Sequence, residues 1–218
     1  MSRTNEEYDR NIIENLQKLD YIMPDEIPNI DLYMDQVTTF MDEHLSESKR
    51  HQEDKVLTKT MINNYTKNHL LPPPKKKKYS KEHMLLLIFI YYFKNILSIS
   101  DIRSILEPLT RMFSNQEGGK SRINLEDIYE EVFRYEKENV DTIVKDIIRK
   151  YKKAENACKG KVEEEQDREF LVSFLFICIL SFDVYTKKTI IEKMIDQHIV
   201  PQFTEGTKKK GKENKEKE

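Results

Sequence analysis

Apolar positions recur at helical spacing along most of the chain. Between residues 5 and 19, Tyr8, Ile12, Ile13, Leu16 and Leu19 form one stripe, which predicts an amphipathic helix. Pro24 and Pro28 interrupt the chain after it. Residues 31–45 repeat the pattern with Leu32, Met34, Val37, Phe40, Met41 and Leu45, and Asp31 is the candidate N-cap. A polar linker, 46–55, follows. A short helix is predicted over 58–70, capped by Thr58, with Met61, Ile62 and Tyr65 facing inward. Pro72, Pro73 and Pro74 end it, because proline lacks the amide donor and restricts the residue before it. Ser80 then caps a strongly apolar helix reaching about Leu97, with Glu82 or His83 near its third position. Ser98 or Ser100 opens a helix over 101–112. Gly118-Gly119 marks a boundary, and helices are predicted beyond it over 124–153, 162–183 and 186–198. Residues 206–218 contain no apolar side chain and read as a disordered tail. The expected fold class is all-α, with a small β-hairpin at the lysine run 75–78.

Composition supports the helical reading, since Gly numbers only 5 in 218 residues. That scarcity argues against Gly-rich phosphate loops and turn-rich β folds. The net charge of −2 conceals its distribution. Residues 1–48 carry 3 basic and 12 acidic side chains, net −9, whereas 49–83 carry 10 and 3, net +7. The basic block is a local electrostatic footprint of the kind that meets nucleic acid.

Other chemistry finds little support. The first 20 residues are too polar for a secretory signal. The most apolar windows, 84–93 and 170–182, are shorter than the ~20 residues a membrane span needs, so they read as buried core helices and no membrane partner is expected. Cys158 and Cys178 lack metal-site or CxxC spacing and are expected to be structural thiols, with Cys158 exposed in a polar stretch. The five histidines form no ligand motif, and the acidic runs 130–131 and 163–165 read as helix surface. No enzyme, cofactor or metal is expected, and the location expected is cytoplasmic. The sequence names no small-molecule effector.

The informative stretch is 57–106: short helix, proline stop, basic turn, aromatic anchor, apolar helix, short helix. Physically this is a helix-turn-helix followed by a wing. The short helix exposes Lys59, Asn63, Asn64, Lys67 and Asn68. Asparagine can bond an adenine edge in the major groove and lysines meet phosphates. Lys75, Lys76, Lys77, Lys78 and Tyr79 stand where a wing would touch the DNA backbone.

Three segments carry a family resemblance. Met61-Ile62-Asn63-Asn64-Tyr65-Thr66-Lys67-Asn68-His69-Leu70-Leu71-Pro72-Pro73 resembles the recognition-helix segment of MerR-type regulators, a Thr-Ile-Arg-Tyr-Tyr-Glu-like helix leading to Gly-Leu-Leu-Pro. Tyr79-Ser80-Lys81-Glu82-His83-Met84 resembles the wing exit, and residues 97–106 the Phe-Ser-Leu-x-x-Ile-x-x-Leu-Leu element that follows. With its flanks, the block resembles a bacterial domain-of-unknown-function family of MerR-like transcriptional regulators. The resemblance implies a winged helix-turn-helix that binds double-stranded DNA as a homodimer. Asn63 replaces the usual helix Arg, Asn64 the next Tyr, His69 the Gly before Leu-Leu, and Lys77 or Lys78 the wing Arg. Lysine keeps the charge but loses the bidentate fork.

The expected layout is an acidic helical leader (1–28), a winged helix-turn-helix DNA-binding domain (29–112), a helical dimerisation or sensor domain (120–202) and a charged tail (203–218). Phe170, Phe174, Phe176 and Phe182 belong to a helix apolar on nearly every side, expected in a three-helix core or a dimer interface. The alternative function is a non-enzymatic protein-interaction adaptor that keeps the winged-helix fold without DNA binding.

Overall fold

The computed structural model describes residue 14 and residues 22–114, 124–161 and 163–201. The first predicted helix (but for residue 14), the Gly118-Gly119 boundary and the charged tail lie outside the described residues. The elements are strand β1 (Leu32–Tyr33), helix α1 (Met34–Leu45), a single 3-10 turn (Ser46–Ser48), helix α2 (Lys59–Lys67), strand β2 (Lys78–Tyr79), and helices α3 (Lys81–Phe93), α4 (Ile99–Ser114), α5 (Leu125–Cys158) and α6 (Glu165–Met194). A π-turn, Ile195–Ile199, follows α6. The protein is therefore mostly helical, with one two-stranded sheet among the described residues.

Two compact units divide the chain. Among the described residues, one runs from Ile22 to Glu130 and takes up Lys188–Pro201; the other contains Glu131–Lys187. The first is centred on α3, whose residues His83 to Tyr91 are all buried. A helix buried on every side must be apolar all round, as this one is. Its start is a capping box: the Ser80 amide donates to His83 Nδ1 at 3.2 Å, and the Ser80 hydroxyl lies 2.8 Å from the same nitrogen. At its far end Lys94 donates to the Val56 carbonyl at 2.8 Å and lies 4.7 Å from the Tyr91 ring centroid. The first turns of α5 also belong to this unit. Tyr129 is fully buried, packs edge-on against Phe89 and donates to the Ile22 carbonyl at 2.5 Å. Ile22 and Ile27 are themselves core residues, so the end of the acidic leader is built into this unit. Ile195 in the π-turn is buried, and the turn lies against α4.

Two local expectations differ here. Asp31 does not cap α1: the chain is extended through Leu32 and Tyr33, and Tyr33 takes the cap position, its amide donating to Gln36 Oε1 at 2.8 Å. Leu32 is held instead by pairing with Tyr79 across the sheet. The apolar helix stops at Phe93, four residues before Leu97.

In the second unit α5 and α6 share one small core. Ala154 and Cys158 of α5 meet Val172 and Phe176 of α6, flanked by Ile147, Tyr151, Leu171, Leu175, Ile179 and Leu180. Lys150 bridges Asp146 on its own helix and Asp183 on the other. Gly160, at φ +71°, supplies the left-handed residue that lets the chain turn after α5. Cys158 is 5% exposed, against the expectation of an exposed thiol: Ala154 and Cys158, one turn apart, form the small-residue face onto which α6 packs. Both cysteines are free thiols.

The predicted helices 162–183 and 186–198 are one continuous helix. No Gly or Pro separates them, and the Thr186 hydroxyl bonds back to the Phe182 carbonyl at 2.8 Å, which keeps it inside the helical ladder. The expected burial of 170–182 is also corrected. Val172 and Phe176 are covered, but Phe170, Phe174 and Phe182 stand more than half exposed. Glu165–Ile199 is, by length and composition only, long and apolar enough to cross a membrane.

Candidate nucleic-acid interface

Helix α2 has nine residues, and burial follows its period. Ile62 and Tyr65 face the core, whereas Lys59, Thr60, Asn63, Asn64, Lys67 and Asn68 form a polar arc of about half the circumference. Thr58 caps its start as expected, accepting from the Met61 amide at 3.1 Å. Its end is a Schellman arrangement. The Leu70 amide donates to the Tyr65 carbonyl at 2.9 Å and the His69 amide to the Thr66 carbonyl at 3.2 Å. His69 takes the left-handed conformation this motif requires, at φ +60°. This is the position where the resemblance expects Gly, and the geometry a Gly would serve is kept.

After the three prolines the lysine run forms a tight reversal. Lys78 donates its amide to the Lys75 carbonyl at 2.9 Å, and Lys75 and Lys78 pair in antiparallel register. Between them Lys76 and Lys77 have φ of +51° and +64°. Two successive left-handed residues closed by this bond make a type I′ turn, normally the place of Asn-Gly. The turn projects from the β1–β2 pair, in which Leu32 faces Tyr79 and Tyr33 faces Lys78. Lys78 Nζ lies 5.1 Å from the Tyr33 ring centroid.

Charge separates the lysines into two groups. Lys49 is paired with Asp42, Lys59 with Asp35, and Lys81 with Glu126. Among the described residues no carboxylate pairs with Lys67, Lys75, Lys76 or Lys77, all of which are exposed. The predicted site residues therefore divide. Asn63, Asn64, Lys67 and Asn68 share one exposed arc, and Lys75, Lys76 and Lys77 share one turn. Asn68 is partly engaged, its amide nitrogen donating to the Asn64 carbonyl at 2.8 Å. Lys59 pairs with Asp35 at the surface. Tyr79 is 3% exposed and edge-on to His83, so it anchors the turn from within the core.

One residue escaped the sequence reading, and a second was read only as an early position of α3. Tyr33 is exposed and holds Lys78 from the neighbouring strand. Its only signal is the alternation at Leu32-Tyr33, too short to read as a strand. His83 is the other: it ties the cap of α3 to the turn through Tyr79. Burial pushes its pKa down, and the carbonyls of Pro73 and Pro72 and the charges of Glu82 and Asp31 pull against that. Its Nε2 is buried and makes no hydrogen bond. Among the described residues no group of three or more metal-ligating side chains occurs.

The fold and this surface define a small helical domain that displays a polar helix face and a lysine-tipped turn. Residues 22–133 match the family described as Domain of unknown function (DUF1836), and the chain belongs to that family. The matched span ends within a turn of the point, Glu130, where the first compact unit leaves α5. Searches of curated proteins and of solved structures returned no significant match.

Proposed function

We propose that this chain is a cytoplasmic, DNA-binding transcriptional regulator of MerR-like, winged helix-turn-helix type. In this reading α2 enters the major groove of double-stranded DNA and the Lys75–Lys78 turn is the wing. Lys67, Lys75, Lys76 and Lys77 anchor phosphates, and Asn63 and Asn64 meet base edges. Two copies address two half-sites. No catalytic step, cofactor or metal enters the reading. The observation that carries it is the turn itself. Two lysines occupy backbone positions that favour Asn and Gly, and among the described residues no carboxylate pairs with Lys75, Lys76 or Lys77 as one does with Lys49, Lys59 and Lys81. A turn selected only to reverse the chain has no need of lysine there.

About four phosphate contacts per copy, and so about eight for the two copies, predict a slope of log K against log salt of roughly −7. Fluorescence anisotropy on pooled genomic duplexes across a salt series measures it. Replacing Lys75, Lys76 and Lys77 together by Glu should abolish retention. Salt-independent affinity, or retention by that variant, would refute the assignment. The second reading, a protein-interaction adaptor, draws on Asn63 in place of the expected Arg and on the Lys59–Asp35 pair. It predicts a partner pull-down that the same triple variant leaves intact.

A further inference from the structure

A cleft of about 540 Å³ opens between the segment around the 3-10 turn and the end of α3, with Met61 of α2 at its side. It lies wholly within the first compact unit. Lys49, Arg50, Lys55 and Lys94 line it, against a single carboxylate, Asp54. Lys49 is paired with Asp42 at 2.6 Å, and Asp54 accepts from the His51 amide at 3.1 Å. Among the described residues no carboxylate pairs with Arg50, Lys55 or Lys94. Counting Asp42 against Lys49 and Asp54 against one of the others, two positive charges in the lining have no counter-charge. Lys94 is the member that water screens least. It is half-buried, and an ammonium taken out of water needs an opposite charge beside it. Its partners are the Val56 carbonyl at 2.8 Å and the Tyr91 ring at 4.7 Å, and neither carries one. Burial accordingly holds its pKa below the ordinary lysine value. Val56 uses one of its three N–H donors, which leaves two for a ligand.

We propose that this cleft binds the phosphate monoester of a small molecule, its dianionic head held by Lys94 and Arg50. The two unmatched charges equal those a phosphomonoester carries near neutral pH. Arg50 brings a planar fork that meets two phosphate oxygens at once, and Lys94 a point charge. Val56, Met61 and the Tyr91 ring give the organic part an apolar wall. The volume exceeds the needs of a bare phosphate and falls in the range of small-molecule pockets. The wall is also held still. The Ser48 hydroxyl donates to the Leu45 carbonyl at 2.7 Å, and its oxygen shares a short hydrogen bond with the Tyr91 hydroxyl. Those hydroxyls fix the shape of the site and leave the ligand's donors to the cations. A DNA duplex is the poorer occupant. Its phosphates stand on a convex rod, which meets the exposed Arg50 and Lys55 more readily than an ammonium half-buried beside Tyr91.

This site does not depend on the regulator reading, and its first test uses no DNA. Calorimetric titration of the full chain with phenyl phosphate should show saturable binding with a Kd at or below about 1 mM. Benzoate, with the same ring and one charge, should bind about tenfold more weakly or worse. Lys94→Met keeps most of the side chain's length and removes its charge. Arg50→Gln changes an exposed residue and spares the fold. Each should weaken phenyl phosphate about tenfold or more, with helical circular dichroism unchanged. Replacing Lys75, Lys76 and Lys77 together by Glu should leave that affinity as it is. No saturable binding, equal affinity for benzoate, affinity unchanged in either single variant, or affinity lost in the triple variant would overturn the proposal. So would a duplex affinity that falls in Lys94→Met with no phenyl phosphate present, because the site would then belong to a backbone phosphate. Phenyl phosphate bound by a chain that retains no duplex would count against the regulator reading alone.

Discussion

Replacing Lys76 and Lys77 by Asn and Gly should make the protein more stable and a weaker DNA binder at once. Both lysines have positive φ, +51° and +64°, within a turn closed by the 2.9 Å bond from the Lys78 amide to the Lys75 carbonyl. A left-handed conformation costs an L-residue with a Cβ on the order of 1 kcal/mol, so the pair costs the fold about 2 kcal/mol. Asn-Gly removes most of that cost, while the extra freedom of Gly in the unfolded chain returns some 0.5–1 kcal/mol. The net gain is about 1 kcal/mol, which raises the melting temperature by roughly 2–4 °C in a chain of this size. Binding moves the other way. Two of about four phosphate contacts per copy disappear, so for the two copies the slope of log K against log salt should flatten by about 3.6. Thermal melts at 222 nm and anisotropy across a salt series read the two effects separately. An unchanged or lower melting temperature would refute the claim that these backbone positions are strained. An unchanged salt slope would refute the claim that their ammonium groups face phosphate.

Other outcomes follow from single positions. His69→Gly should stabilise the protein by about 1 kcal/mol in a denaturant titration, because Gly adopts the left-handed Schellman position without a Cβ penalty, and DNA affinity should be unchanged. The depressed pKa of His83 means that its folded form resists the proton its unfolded form accepts near pH 6.5. Stability is therefore fully present above about pH 6.5 and falls as pH drops through and below it, by at most about 1.4 kcal/mol per pH unit. His83→Gln keeps a capping-box side chain and should remove that contribution, seen as a flatter pH dependence of the unfolding midpoint. Tyr129→Phe leaves the buried Ile22 carbonyl without the phenol and should cost about 1–3 kcal/mol, read by chemical denaturation.

Local signals proved the most legible part of this chain. Thr58 caps α2, Ser80 and His83 cap α3, and Ile62 and Tyr65 point inward, each determined by residues within one or two turns. The reversal at the lysine run was also readable, because three prolines forbid helix there. The strand that supports it was not. Leu32 and Tyr79 meet across 47 positions, and nothing in either neighbourhood announces the other. Helix α6 shows a different limit. Periodicity identifies a buried face only when a polar face contrasts with it, and 170–182 offers little contrast; which side is covered depends on α5. Cys158 looked exposed because its sequence neighbours are polar, yet its partner across the helix turn is Ala154 and its cover is α6. At the candidate site the residue types were legible. The pairing of Lys59 with Asp35 and the inward turn of Tyr79 were not, since both depend on segments distant in sequence.

The pairing of Leu32 with Tyr79 also sets an order of events in time. Joining two points some 47 residues apart costs about 3.4 kcal/mol in closure entropy beyond a constant, by the logarithmic length dependence. A two-residue ladder cannot meet that cost alone, so the pair forms only after α1, α2 and α3 have collapsed and buried the two side chains. Contacts at such separation assemble late in folding. The hairpin is then the last part of its unit to acquire shape and the first to lose it. A chain still folding on the ribosome, or one partly unfolded by heat, carries its lysines on a slack segment with no fixed spacing from α2. The charge is present from synthesis, but the spacing that would make it selective appears only when the whole unit is complete.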